Sequence, residues 1–301
     1  MDIAIMVEGQ DGVNWTRWQT MAKAVEELGF VGLYRSDHFT NMELPALDSL
    51  ELWVSLTWLA TNTKRIEFGP MVTPTSFRDP VFTARIAKDI DDLSGGRLTL
   101  GVGAGWQELE HNMFGYELLE VGPRFDRFEE SLEVMSGLLR SEEPVSFSGD
   151  YYTLRDAVLL PKAQRKNGPP LLIGGNGRTR TLPLVARYAD EWNGVYLTAA
   201  DFAERSARLD ELLDAAGRAR EAVRRSLMTG LVFGRTDVAV NEKLGARSAD
   251  EVRSRGMIVG TPSAVQDQLA ALAETGVQRV MLQWLDIDAI MELEALATAV
   301  L

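Results

Sequence analysis

The chain of 301 residues holds two histidines, His38 and His111, and no cysteine. Imidazole is the side chain whose ordinary pKa lies near neutrality, so histidine-borne proton transfer rests on these two. His38 stands in Arg35-Ser36-Asp37-His38-Phe39, beside a carboxylate and just after an apolar stretch. That position suits a group exchanging protons at a strand end. It also suits a histidine satisfied by local hydrogen bonds. His111 lies in Glu108-Leu109-Glu110-His111-Asn112, a short polar helix, and is expected to be a surface or capping residue. Gly174-Gly175-Asn176-Gly177 follows three aliphatic residues and precedes Arg178 and Arg180. A glycine turn opening a helix offers free amides to a phosphate; the alternative is a tight turn needing positive φ. No Gly-Lys-Ser/Thr ends it, so it is not a Walker loop. In Gly101-Val102-Gly103-Ala104-Gly105-Trp106 the dinucleotide spacing fails, because the third glycine would fall on Trp106. Strand packing and close approach of a flat ligand remain.

Composition removes other chemistries. Without cysteine there are no disulfides, thiolate metal sites or cysteine nucleophiles. Two histidines make a multi-imidazole metal site a poor reading, and no metal is expected. The net charge of −13 opposes tracking of nucleic-acid phosphates. No apolar run reaches the roughly 20 residues of a bilayer span, and no basic leader precedes the apolar start Met1-Asp2-Ile3-Ala4-Ile5-Met6. No membrane or nucleic-acid partner is expected, and the expected location is cytoplasmic.

The elements that must position these residues alternate. Strands are predicted at 2–7, 30–34, 65–68, 97–102, 171–173, 191–195, 226–233 and 279–283. Helices are predicted at 15–28, 48–60 (capped near Asp48 or Ser49), 80–93, 108–113, 123–139, 178–188, 201–216, 237–255, 263–274 and 287–300. Strand–helix alternation implies parallel strands with crossover helices. Eight such units make an α/β fold, a TIM (β/α)8 barrel, as one domain over 1–301. A β-hairpin insertion at about 144–166 falls between strands 4 and 5. A doubly wound sheet is the runner-up. In a barrel the strand C-termini meet at one face. They carry Glu8; Asp37 and His38; Pro70 to Pro74; Gly103, Gly105 and Trp106; Gly174 to Gly177; Trp192 and Asn193; and Gln283 and Trp284. Trp53 and Trp58 read as core, whereas Trp106, Trp192 and Trp284 are candidate pocket walls.

Read together, several segments resemble the luciferase-like monooxygenase superfamily: Ser36-Asp37-His38-Phe39, Gly69 to Pro74 with Arg78-Asp79-Pro80, and Leu93 to Arg97 with Leu100 to Trp106. Ile173 to Gly177, Ala189 to Asn193, Val259 to Pro262 and Gly276 to Met281 extend the likeness across the chain. It is most similar to the branch of oxidoreductases dependent on coenzyme F420, a deazaflavin. The resemblance implies that Pro70, Met71, Val72 and Thr73 form a bulge supporting the cofactor ring, with a non-prolyl cis peptide near Pro70-Met71. It implies that Asp37 meets the ring's polar edge and that Gly105 and Trp106 lie against the cofactor. The cofactor phosphate would fall on Gly174, Gly175, Asn176, Gly177 and Arg178. His38 would bind or protonate the substrate. Glu8, Trp192, Tyr196 and Trp284 are the expected substrate contacts.

The sugar-phosphate dehydrogenase branch carries an acidic residue where this chain has Trp106, and Val195-Tyr196-Leu197 offers no lysine for a substrate phosphate. The expected substrate is therefore small and apolar or aromatic. Arg78, Arg97, Arg178 and Arg180 are expected to offset the acidic field around a polyanionic cofactor tail. The alternatives are an FMN-dependent monooxygenase using O2 and a separate cofactor reductase, and a non-catalytic flavin-binding paralogue. A homodimer is expected from the resemblance.

Overall fold

The computed structural model describes all residues, 1–301. Its elements are β1 (Asp2–Val7), α1 (Trp15–Leu28), β2 (Gly32–Arg35), α2 (Leu52–Asn62), β3 (Glu67–Pro70), β4 (Thr73–Pro74), α3 (Pro80–Ser94), β5 (Leu100–Gly103), α4 (Glu108–Phe114), α5 (Val121–Arg140), β6 (Val145–Ser148) and β7 (Thr153–Ala157). There follow β8 (Leu171–Gly174), α6 (Thr181–Tyr188), β9 (Glu191–Val195), α7 (Ala199–Ala215), β10 (Arg224–Phe233), α8 (Asp237–Leu244), α9 (Ala249–Ser254), β11 (Ile258–Gly260), α10 (Pro262–Glu274), β12 (Arg279–Gln283) and α11 (Ile290–Val300). No helix is long and apolar enough to cross a membrane.

The helices begin and end where their chemistry directs. Asn14 caps α1 by accepting from the Arg17 amide, and Gly29 closes it at φ 98°. Asp79 caps α3 ahead of Pro80, and Gly95 ends it at φ 73°. The strands run parallel in the order β3-β2-β1-β12-β10-β9-β8-β5-β4. β3 and β4 are two halves of one bent strand, and Phe68 N–H donates to Arg97 O (3.1 Å) beside β5. The wall is therefore a closed (β/α)8 barrel, as expected. β6 and β7 form the antiparallel hairpin inside the expected insertion.

Three details differ from expectation. β11 is an added strand pairing with β10. α2 starts at Leu52, because Glu51 rather than Asp48 or Ser49 caps it, accepting from Val54 N–H. The chain after Gly177 stays in a turn, so α6 starts only at Thr181.

Register gathers the strand ends at one rim. Val7 pairs with Arg35 and Arg35 with Pro70; Thr73 pairs with Val102 and Val102 with Ile173; Gln283 pairs with Met6 and Gly230. Alternate residues fill the lumen with Met6, Met71, Met228 and Met281 packed around Tyr34 and Leu172. The opposite end is plugged by Arg279, whose guanidinium donates to Tyr34 Oη (2.7 Å) and Glu67 Oε2 (2.6 Å).

Candidate active site

His38 leaves the end of β2 with its ring in the mouth of the barrel. Its Nδ1 lies 2.7 Å from Glu110 Oε1, and its ring meets that of Trp106 nearly at right angles, 5.8 Å between centroids. The other Glu110 oxygen accepts from Phe39 N–H at 2.8 Å. Ser49 Oγ donates to the His38 carbonyl. Burial opposes charge on the ring, but Glu110, then Glu8 and Asp37, outweigh burial and hold its pKa above the usual 6.5. Across the mouth, burial and the field of Glu8 raise the Asp11 pKa, against the lowering influence of His38.

His111 is not a surface residue: it is as buried as the core. Its Nδ1 lies 2.6 Å from Gln107 O and its Nε2 2.8 Å from Ser76 Oγ. It thereby docks α4 on the segment after β4, which turns the neighbouring Glu110 toward His38. The polar spelling of this helix hid the reversal, because two of its polar side chains point inward with partners.

Asp37 is buried and already committed. Thr73 Oγ1 donates to its Oδ2 at 2.7 Å, and Arg78 forms an ion pair with the same oxygen. Arg78 also donates to Glu51 Oε1 at 2.8 Å. The structure thus makes Asp37 a brace between β2 and the bulge, held chiefly through its Oδ2. The bulge is where it was expected, but its cis peptide is Met71-Val72, one residue later. Glycines let it pack: a Cβ on Gly101 would lie 2.1 Å from Pro70 O, and one on Gly103 would lie 2.8 Å from Val72 Cγ2. Gly174 faces the same Val72 side chain from β8, at 3.2 Å from a would-be Cβ. Gly105, at φ 86°, packs on Ser76 and Pro74, and its carbonyl accepts from Arg124. Trp106 beyond it is largely exposed.

The loop after β8 divides its labour. The Asn176 side chain behaves as an extra strand residue, donating to Val195 O (2.7 Å) and accepting from Val195 N–H (2.9 Å). Trp192 Nε1 donates to Gly175 O at 2.9 Å. The backbone N–H groups of residues 176 through 180 have no acceptor within the chain. Arg178 pairs with Glu204 (2.7 Å) and Arg180 with Asp126. Arg97 lies at the far end of the barrel, its donors spent on Ala60 O, Thr63, Ile66 O and Ser94 O. It cannot offset charge at the mouth.

Of the expected substrate contacts, Glu8 and Tyr196 reach the mouth and the two tryptophans do not. Trp192 and Trp284 are packed in the core between barrel and helices, Trp192 stacking on Phe202. Both follow the outward-pointing alternation of their strands. A hydrogen-bond chain crosses the mouth instead. Tyr196 Oη donates to Gln283 Oε1, Gln283 Nε2 to Glu8 Oε1, and Gln10 Nε2 to Glu8 Oε2. Ser36 Oγ then donates to Gln10 Oε1. Burial and Glu8 raise the Tyr196 pKa, partly offset by Gln283. Glu110, Gln10 and Asp11 were missed by the sequence reading. For Glu110 the available signal was an acid adjoining a histidine on the helix that follows the strand-four glycines.

A sequence model of the luciferase-like monooxygenase family matches residues 3–253. The chain belongs to that family. An F420-dependent glucose-6-phosphate dehydrogenase of Kineococcus radiotolerans is 29% identical over 219 residues, 70% of this chain and 62% of that protein. A 4-hydroxyprotoasukamycin monooxygenase of Streptomyces nodosus subsp. asukaensis is 30% identical over 181 residues, 60% of this chain and 47% of that protein. The match thus spans about half to under two thirds of these relatives' length. Among solved structures, an F420-dependent secondary alcohol dehydrogenase in complex with an F420-acetone adduct superposes with a TM-score of 0.85 at 20% identity, over 100% of this chain and 99% of that one. This likeness shows the shared fold.

Proposed function

We propose that the chain is an oxidoreductase that transfers a hydride between a bound deazaflavin, coenzyme F420, and a small uncharged organic substrate. The observation that carries this reading is one rim holding both a ring nitrogen on His38 and the unpaired amides 176 through 180. The residues present suit the cofactor. The amides provide donors for its phosphate, and Gly101, Gly103 and Gly174 let the bulge that would support its ring pack closely against β5 and β8. The names of several relatives, including the glucose-6-phosphate dehydrogenase, support the choice of F420.

When bound, the cofactor supplies the hydride chemistry. The chain's own residues do the rest. His38 exchanges the proton that accompanies the hydride at the substrate oxygen or carbon. The bulge from Pro70 to Thr73 supports the ring. Glu8 and Tyr196 meet the substrate, with Gln283 fixing both. Arg78 is spent on Asp37 and Glu51, so a phosphorylated substrate would find no free cation beside His38. This favours neutral substrates.

A second reading, an FMN-dependent monooxygenase served by a separate reductase, uses the same amide loop and gains support from the Streptomyces relative. Titrating the purified protein with each cofactor, followed by absorbance, separates the two. Tight binding of F420 with weak FMN binding supports the first reading, and the reverse overturns it. His38→Ala should keep cofactor affinity and lose turnover; turnover equal to wild type would remove His38 from the mechanism.

A further inference from the structure

Glu110 is enclosed, with 1% of its side chain exposed, and reaches His38 from a different element of the barrel. Both oxygens are engaged, Oε1 with His38 Nδ1 and Oε2 with Phe39 N–H. The amide contact fixes which oxygen is offered to the ring. An ionised carboxylate only accepts hydrogen bonds, so the proton in the 2.7 Å contact belongs to Nδ1. Nε2 is then the nitrogen that can gain or lose a proton.

Resting on the reading of His38 as the proton carrier, we infer that Glu110 is a positioning residue that locks His38 in its Nδ1–H form and presents Nε2 to the substrate. In the oxidative direction, the C–H bond of a substrate alcohol breaks and its hydride goes to the oxidised cofactor. The O–H proton goes to the Nε2 lone pair, leaving a carbonyl and an imidazolium. The reverse direction returns that proton from Nε2 to the oxygen as hydride reaches the carbon. Glu110 gives up nothing; its charge steadies the imidazolium between the two halves. Other acids also face the ring: Glu8 from the end of β1, Asp37 beside it on the β2 end, and Asp11 from the loop after β1. Trp106 packs against the ring without titrating. Glu110 differs from these in touching the ring nitrogen.

Nitrogen NMR on the intact protein with labelled histidine tests the geometry without any substitution. Two imidazoles give an assignable spectrum once His38→Ala identifies one of them. His38 should titrate from imidazolium to the Nδ1–H tautomer; a neutral ring protonated on Nε2 would overturn the inference. Steady-state kinetics across pH tests its consequence. Glu110→Gln should lower kcat by about tenfold or more, a part of the roughly 10²–10⁴-fold that positioned proton transfer contributes, while KM and cofactor affinity stay near wild type. The limb of the profile that follows His38 should move to lower pH. Glu110→Asp, which keeps the charge, should restore part of kcat and move the limb back. In a His38→Ala background, Glu110→Gln should cost nothing further. An unmoved limb in Glu110→Gln, or an added loss in the double variant, would overturn the role. Wild-type turnover in His38→Ala would instead defeat the underlying reading of the site.

Discussion

Arg78→Met tests whether Asp37 is held as a structural brace. The substitution keeps much of the side chain's length and removes the guanidinium that pairs with Asp37 and Glu51. Asp37 would then be a buried carboxylate with one remaining donor, Thr73 Oγ1 at 2.7 Å. Removing one partner of a buried pair costs about 3–5 kcal/mol. The side chains are 16% and 6% exposed, so the lower figure, about 3 kcal/mol, applies here. A chain of 301 residues unfolds with an entropy of about 0.6 kcal/mol/K, so the melting temperature should fall by about 5 °C. Thermal unfolding followed by circular dichroism at neutral pH measures this. Adding Asp37→Asn to Arg78→Met removes the stranded charge while keeping an acceptor for Thr73. The double variant should recover most of the lost stability. An Arg78→Met protein melting within about 1 °C of wild type would refute the reasoning, as would a double variant less stable than Arg78→Met.

Asn176→Ala strips Val195 of both its side-chain partners and should cost about 1–3 kcal/mol in urea unfolding; a neutral result would mean that Asn176 serves a ligand and not the β9 end. Trp192→Phe leaves the Gly175 carbonyl without its donor and thins the stack on Phe202, and should cost a similar amount, about 1–3 kcal/mol. The native His38 pKa is raised above 6.5, so its pairing contributes stability that is complete below that value and is lost as pH climbs through the native pKa. The stability difference between wild type and His38→Gln should therefore be largest below the ordinary histidine pKa of about 6.5 and shrink as pH rises above it, and a difference that grows with rising pH would contradict the pairing.

The fold was legible because its signals are local and repeated. Most of the buried strands are short apolar runs and several crossover helices have a side-chain cap or a glycine stop, as with Asn14 and Gly29 around α1. Eight repetitions left little freedom in architecture. The boundaries that failed did so where a distant partner decides. α2 begins late because Glu51 takes the cap, and the same carboxylate holds Arg78 from another element. β11 is a three-residue strand that exists by pairing with β10, so its own residues carry almost no signal.

The site was legible as a set of positions and much less so as a set of roles. Being at a strand's C-terminal end places a residue near the rim, but side-chain direction alternates along the strand. Trp284 stands just past the end of β12 and Trp192 lies within β9, and both point outward into the helix layer, whereas Glu8 and Gln283 point across the mouth. Asp37 is at the rim and occupied, because Arg78 arrives from beyond the bulge. His111 reads as polar surface until Ser76, from another loop, supplies its second partner. Glu110 is the sharpest instance: its role depends on meeting His38, 72 residues earlier in the chain. A carboxylate's burial and its partner are properties of the closed barrel. A local sequence window can therefore nominate an imidazole, but only the closed fold reveals which of its nitrogens is free to act.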